Sequence, residues 1–373
     1  MKRSLTIVVC ILVLGISCAR PRPRPDVRAP APPAAPWPRR VTELRGVWVS
    51  DTTKLDWDSA TAALQRAGFN TMYVNFASAG AAFYPGSGVL PDISKASDRD
   101  WQRGIALARQ RGLAVHAKLI TMFMFKTPPD FQRRLTADRR VMRGSDGRPA
   151  LQTGYAWLCP SRPENRALVA ATISEILTRY PVDGMQFDYI RFFEEPTCFC
   201  DYCRRDFEAS VRQRMLRWPD DVFGGPYTEQ FSAWRREVIN SCVGAFVSLA
   251  RRTRPGVVVS AATFHDLERG RQDRAQDWRV WLERGWVDYV CTMTYRPDAR
   301  EFEMFVRKQQ SWGGRGRVVV GIGSWKLERM SDLRAQIETT RRLGAPGFAL
   351  FSYDDAAARN SLPDLGAVGV AAR

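Results

Sequence analysis

Residues 180–192 read Tyr-Pro-Val-Asp-Gly-Met-Gln-Phe-Asp-Tyr-Ile-Arg-Phe. The stretch 182–190 is largely apolar, broken by the charged or amide side chains Asp183, Gln186 and Asp188. A strand with one wet face alternates apolar and polar residues. A near-continuous apolar run belongs to a strand covered on both faces, as in a parallel sheet. Asp188 falls at the end of that run, where a carboxylate gains nothing for folding unless it is paired.

Working outward, seven further runs share this character: 44–50, 69–76, 113–120, 257–263, 287–295, 318–323 and 347–353. Between them the apolar spacing predicts helices over 59–67, 98–111, 163–180, 206–216, 229–252, 273–284, 299–310 and 331–343. Gly68, Gly112 and Gly344 fall where a helix should stop before the next strand. Eight alternating units predict an α/β chain folded as a (β/α)8 TIM barrel. A doubly wound open sheet is the alternative. It lacks support, because Ser50-Asp51-Thr52-Thr53 after the first strand has no glycine to cradle a phosphate.

The 373 residues divide into 1–18, a signal peptide; 19–40, a linker; and 41–373, the barrel. Lys2 and Arg3 precede an apolar run over 5–16, short for a membrane span and suited to a signal peptide. Gly15-Ile16-Ser17-Cys18 resembles a bacterial lipobox, so Cys18 is the expected lipidation site, with a plain secretory signal as the alternative. Eight prolines and six arginines in 20–40 predict a semi-rigid tether that holds the barrel off a membrane. Its charge serves anionic lipid or wall polymer, or only solvation. The location expected is the cell envelope: membrane-anchored, or periplasmic or extracellular without the lipid.

Hydrophobic residues at 45% and charged residues at 25% exclude a disordered or fibrous chain. The net charge of +17 raises nucleic acid as a partner. No basic run is interleaved with aromatics in a nucleic-acid motif, so no nucleic-acid partner is expected. Two histidines exclude a His-rich metal centre, and eight cysteines are too few for a disulfide scaffold of this length.

In a barrel, function gathers at the carboxyl ends of the strands. Those ends carry Trp48, Asn75, His116, Asp188, Arg191, Glu194, Glu195, Asp266, Tyr295, Trp325 and Asp354. Carboxylates, aromatics and amides together suit a sugar: rings cover its faces, polar groups bind its hydroxyls, and two carboxyl groups cut the glycosidic bond. Asp188 is the first candidate, as nucleophile or general base; the structural alternative is an ion pair with Arg191. Its acid partner is expected among Glu194, Glu195, Asp266 and Asp354. Trp48, Asn75, His116, Arg191, Tyr295 and Trp325 are the expected substrate contacts. Asp183, of opposite parity, reads as an anchor for neighbouring strands.

At this point an ordered series of short motifs resembles a known family. Glu43-Leu-Arg-Gly-Val-Trp-Val-Ser50, Phe69-Asn-Thr-Met-Tyr73, Gly112-Leu-Ala-Val-His-Ala117, Trp157-Leu-Cys-Pro160, Tyr180 to Phe192, Gln276-Asp277-Trp278, Gly285-Trp-Val-Asp-Tyr289 and Gly347 to Tyr353 resemble the glycosyl hydrolase-like 10 family of bacterial barrels. The resemblance implies a glycosidase-type barrel. One implied substrate is peptidoglycan glycan strands stripped of their peptides. The chain departs from the family's pattern at Lys118, where Trp is frequent, and at Cys159-Pro160. Chitinase-type chemistry is not expected, because Gln186 and Ile190 replace two of that motif's acids.

Cys198-Phe-Cys200-Asp-Tyr-Cys203 follows the fourth strand, and Cys159 lies between the third and the fourth. Four thiolates complete a closed tetrahedral zinc site, structural rather than catalytic; one or two disulfides are the alternative. A similar arrangement binds structural zinc in some barrel β-galactosidases. No cofactor is expected for catalysis. The reading is an envelope glycoside hydrolase. Its rival is a carbohydrate-binding lipoprotein that kept the barrel and lost its acid. Oligomeric state is left open.

Overall fold

The computed structural model describes residues 42–193, 197–314 and 316–358. The expected signal peptide, Cys18, the Pro/Arg linker, Glu194 and Glu195 lie outside these residues. In chain order the first half holds β1 (Leu44–Val49), α1 (Trp57–Arg66), β2 (Thr71–Ala77), α2 (Asp98–Gln110), β3 (Ala114–Ile120), α3 (Pro129–Ala137), β4 (Leu151–Gln152), β5 (Tyr155–Ala156), α4 (Pro163–Arg179) and β6 (Gly184–Asp188). The second half holds α5 (Asp201–Val211), α6 (Thr228–Thr253), β7 (Val258–Phe264), α7 (Leu267–Arg274), α8 (Trp278–Glu283), β8 (Tyr289–Met293), α9 (Ala299–Gly313), β9 (Val318–Gly323), α10 (Met330–Arg342), β10 (Gly347–Phe351) and α11 (Tyr353–Ala358).

Eight parallel strands close into a barrel in the order β1-β10-β9-β8-β7-β6-β3-β2. The helices start where short polar side chains satisfy their first amides. Asp56 caps α1, Ser97 and Asp100 form a capping box on α2, and Asp298 caps α9. Gly68, Gly112 and Gly344 adopt left-handed φ of 83°, 74° and 73°, ending α1, α2 and α10 as their positions predict.

Three segments differ from expectation. The helix α3 and the antiparallel hairpin β4–β5 occupy a stretch with no predicted element. They are too short to leave a periodic signal. The helix expected over 273–284 is two, because the chain turns left-handed at Ala275 (φ 57°). The Gln276 side chain then accepts the Phe264 amide across 2.6 Å. The helix expected over 206–216 runs Asp201–Val211 and ends at left-handed Arg212.

The outward faces of the strands pack on the helices: Val47, Met72, Val74, Phe76, Val115, Leu119, Met185 and Phe187 are all buried. The inward faces build a second cluster from Leu44, Trp48, Tyr73, Ala262, Tyr289, Cys291, Val319 and Ala349. Small residues make room for the rings there. A Cβ on Gly184 would fall 2.5 Å from His116 Nδ1, and one on Gly46 2.7 Å from the Tyr73 ring. A third cluster, Phe199, Phe207, Met215, Val222 and Phe231, packs α5 and its following loop against α6.

The seam between first and last strands is tied at both ends. At the floor, Arg341 donates two bonds to the Glu43 carboxylate, at 2.7 and 3.0 Å. At the mouth, Asp354 accepts the amides of Ser50 and Asp51 at 2.7 and 3.1 Å. Asp183 braces the floor elsewhere, accepting Arg109 and the Val115 amide at 2.9 Å.

Candidate active site

Strand alternation decides which side chains face the barrel axis. In the ladders Asn75 pairs with Lys118, and Lys118 with Gln186, so these three face inward together, with Asp188 two residues beyond Gln186. Asp188 is 6% exposed, and both its oxygens accept hydrogen bonds. Oδ1 takes the Tyr189 amide at 2.8 Å, and Oδ2 takes Lys118 Nζ at 3.1 Å. Tyr189 holds φ +52°, a left-handed backbone for a bulky residue, at the turn that aims its amide back at Asp188.

Lys118 is the partner that sequence reasoning missed. It is 3% exposed and forms an ion pair with a carboxylate as buried as itself. The signal was present: Lys118 shares the inward parity of Asn75 and His116. The ion-pair alternative for Asp188 named Arg191. The Arg191 guanidinium lies 4.8 and 4.9 Å from the ring centres of Trp157 and Tyr189.

Two aromatic clusters lie at this end of the barrel. Trp48, Tyr295, Trp325 and Phe351 form the first, with ring centres 4.8 to 6.5 Å apart along it. Gly321 and Gly323 of β9 allow it, since a Cβ there would meet Trp48 at 3.0 Å and Trp325 at 2.7 Å. Burial and the Asp188 charge push the Tyr295 phenol well above its usual range, so it stays a neutral O–H donor. Trp48 lies deepest: its indole N–H donates to Gln186 Oε1 at 2.6 Å, and it is floor rather than an open platform. Trp325 and Tyr295 are only partly buried. Phe123, Phe125, Tyr155, Trp157, Tyr189 and Phe193 form the second cluster. Aromatic rings near a strand-end carboxylate are chemistry that suits a hydroxyl-bearing sugar ring.

The remaining expected residues have other placements. Asn75 is 1% exposed; its amide N–H donates to the Ser50 carbonyl at 2.7 Å, while Oδ1 is buried with no partner. His116 is not at the mouth. It pairs in register with Gly184 at the start of β6 and is 4% exposed, and its Nδ1 lies 3.2 Å from the Tyr289 hydroxyl. Burial lowers it to about 4, so it is neutral at pH 7. Asp266 caps α7 through the Arg269 amide at 3.1 Å. Asp354, with an amide on each oxygen, clamps the seam. His265 accepts from Arg296 at 2.7 Å, and burial followed by Arg296 lowers it to about 4.

The four cysteines meet. Their sulfurs all lie within 4.8 Å of one another, every one buried, and all four are free thiols. Cys159 Sγ lies 3.4 Å from Cys203 Sγ and 3.9 Å from Cys200 Sγ. Tetrahedral zinc–sulfur bonds of about 2.3 Å set sulfurs about 3.8 Å apart, so the donor set fits a tetrathiolate metal. Bonds from the other three sulfurs drive the Cys200 thiol down, and burial pushes Cys198 and Cys203 up. Among the described residues, no helix is long and apolar enough to cross a membrane.

The chain resembles several known proteins. Glycosyl hydrolase DigH of Escherichia coli K12 is 24% identical over 362 residues, covering 81% of this chain and 79% of that protein. An S-layer-related protein of Niallia circulans is 31% identical over 194 residues, 42% of this chain and 12% of that protein. Among solved structures, the PgaB (BpsB) glycoside hydrolase domain of Bordetella bronchiseptica superposes with a TM-score of 0.71 at 15% identity, covering 89% of this chain and 99% of that one. The β-galactosidase of Rahnella sp. R3 superposes with a TM-score of 0.61 at 16% identity, over 89% and 57%. These superpositions show the (β/α)8 barrel fold. Residues 43–322, three-quarters of the sequence, match a single family along their whole length, and the chain belongs to the glycosyl hydrolase-like 10 family.

Proposed function

We propose that this protein is an envelope glycoside hydrolase that cuts O-glycosidic bonds, with peptidoglycan glycan strands as the favoured substrate. One observation carries the reading: Asp188 sits at a strand's carboxyl end, held by Lys118 and the Tyr189 amide. In this mechanism the sugar ring stacks on the aromatic clusters. Asp188 acts as nucleophile or general base at the anomeric carbon. Tyr295 donates to a sugar hydroxyl. The acid comes from Glu194 or Glu195, since Asp266 and Asp354 carry structural bonds. The name of DigH supports hydrolysis of a glycan. Cys18 supplies a lipid anchor. The four cysteines hold a zinc ion that pins the loop after β6; a closed four-sulfur site leaves no open position for substrate.

A second reading has one observation in its favour. Both described carboxylates that were candidate acids are engaged by backbone amides, as in a carbohydrate-binding barrel that has lost its acid. Reducing-end release by the full chain decides between them. The substrates are peptide-free peptidoglycan strands and a panel of neutral and acidic polysaccharides. Release by the wild type that Glu194→Gln or Glu195→Gln abolishes supports the hydrolase. Binding of the same strands without release, by a folded protein, supports the binding module.

A further inference from the structure

The loop 212–227, between α5 and α6, carries a surface that the mechanism does not use. It lies on the mouth side of the barrel, because the chain between the end of β6 and the start of α6 returns from a strand's carboxyl end. Four large apolar side chains stand exposed among the described residues, and two share this loop: Leu216 at 84% and Phe223 at 48%.

The exposed rings are fixed from below. Phe223 and the half-buried Trp218 both pack on the buried Phe199, with ring centres 5.9 and 5.8 Å from it. The Trp218 indole N–H donates to the Phe199 carbonyl at 2.9 Å. The Arg217 amide donates to the Asp221 carboxylate and the Met215 amide to Glu208, each at 2.8 Å. The Phe223 amide donates to the Pro219 carbonyl at 2.9 Å. A ring already ordered loses little further freedom when something stacks on it.

The charge in the loop is mostly positive. Arg212, Arg214 and Arg217 are exposed, against one exposed carboxylate, Asp220. Asp221 is buried and faces Arg217 at 3.5 Å. An ordered ring with arginines in the same loop is chemistry for a sugar polymer that carries carboxylates. The ring takes the apolar face of a sugar, and guanidinium N–H groups take a carboxylate. A membrane fits less well. The chain enters β1 at the floor, so a lipid anchor upstream of residue 42 approaches the end of the barrel opposite this loop.

We propose that Phe223, Trp218, Arg212 and Arg214 form a second binding platform for an acidic glycan strand, separate from the Asp188 site. The proposal rests on the hydrolase reading and deepens it. Peptidoglycan strands stripped of their peptides expose carboxylates, and a platform on the mouth side holds one stretch of a long strand while Asp188 acts on another.

The test measures binding and turnover by the full chain on peptide-free peptidoglycan strands, long and short, and on long strands whose carboxylates are reduced to alcohols. Phe223→Ala should weaken binding of long strands about 3- to 10-fold, the worth of one stacked ring. Arg212→Gln combined with Arg214→Gln should weaken it about threefold in low salt, and hardly at all in high salt or on reduced strands. Both variants should raise KM for long strands while kcat, and KM for short fragments, stay at wild-type values. The substituted side chains are exposed, so an unchanged Tm is expected and verifies folding. A loss below about twofold for Phe223→Ala, or an equal rise in KM on short and long strands, overturns the platform. So does loss of binding to phosphatidylglycerol vesicles with strand affinity intact, which makes the loop a membrane contact. Strand binding without release by the wild type overturns the hydrolase reading instead, and the affinity comparison still decides the platform.

Discussion

The Asp188 pair and the cysteine cluster are both buried groups of charge-bearing side chains beside the end of β6, yet they are built in opposite ways. Asn75, Lys118 and Asp188 come from three neighbouring strands, β2, β3 and β6. Ladder hydrogen bonds set their register, and alternation turns all three inward. Their meeting costs the chain nothing beyond making a barrel. Cys159 precedes α4, Cys198 and Cys200 precede α5, and Cys203 lies in the first turn of α5. No ladder sets the distance between those segments. Loop hydrogen bonds do it instead: the Phe199 amide donates to the Arg143 carbonyl at 2.9 Å, and the Cys159 amide to the Arg140 carbonyl at 3.0 Å. The barrel's register positions the first site, and loop contacts position the second.

Four measurements would break or sharpen that contrast. The largest effect is expected from Asp188→Asn, which should lower kcat by about a thousandfold or more while leaving the far-ultraviolet spectrum unchanged, with Tm lowered because the buried Lys118 loses its counter-charge. Equal turnover by the variant would remove Asp188 from the chemistry. Next, removing the zinc proposed for the four cysteines should lower Tm by on the order of 5 °C or more, with activity lost only as the protein melts. Activity lost at full stability would mean the cluster takes part in the reaction.

Lys118→Met should destabilise the protein by about 3 kcal/mol, because it leaves a buried carboxylate alone. The double variant with Asp188→Asn should recover much of that loss, and simple additivity in urea unfolding would show that the pair is not coupled. The smallest effect concerns His116. Its folded value is lowered by burial to about 4, against 6.5 for a free imidazole. The neutral form is thus favoured in the fold; that stability is complete above pH 6.5 and drains away as pH falls toward 4. Roughly 2 kcal/mol should disappear between pH 7 and 4.5. His116→Gln should flatten that slope, and an unchanged slope would place the acid-sensitive group elsewhere.

Much of this was legible beforehand. Eight apolar runs and three glycine stops predict the barrel because each is a local consequence of strand burial or helix capping. Asp188 is readable because a charge at the end of an apolar strand stands out. Lys118 is harder: its role depends on which residue of the next strand lies opposite, and strand pairing is not written in either strand alone. His116 looks like a mouth residue by sequence and proves to be floor, since the register with Gly184 sets its depth. Asp266 and Asp354 carry the right chemistry, but the amides that claim them come from the turn of α7 in one case and from a strand 304 positions away in the other. The cysteines are readable as a group by spacing.

The tied seam between β1 and β10 has a consequence for the order in which the chain can fold. Ser50 and Asp354 are 304 positions apart, so the closing ladder is the most distant contact in the molecule's sequence sense among those just described. Until β10 arrives, β1 and β9 are the exposed edges of an open, apolar sheet, which invites pairing with other chains. Closure over so long a loop carries a large entropic barrier, and the two ties, Glu43 with Arg341 and Asp354 with the Ser50 amide, become available only when both ends of the chain are present. A polypeptide emerging from its first residue onward must therefore keep the β1 edge unpaired for nearly the whole of its synthesis, and the last strand acts as the latch that ends that vulnerable interval.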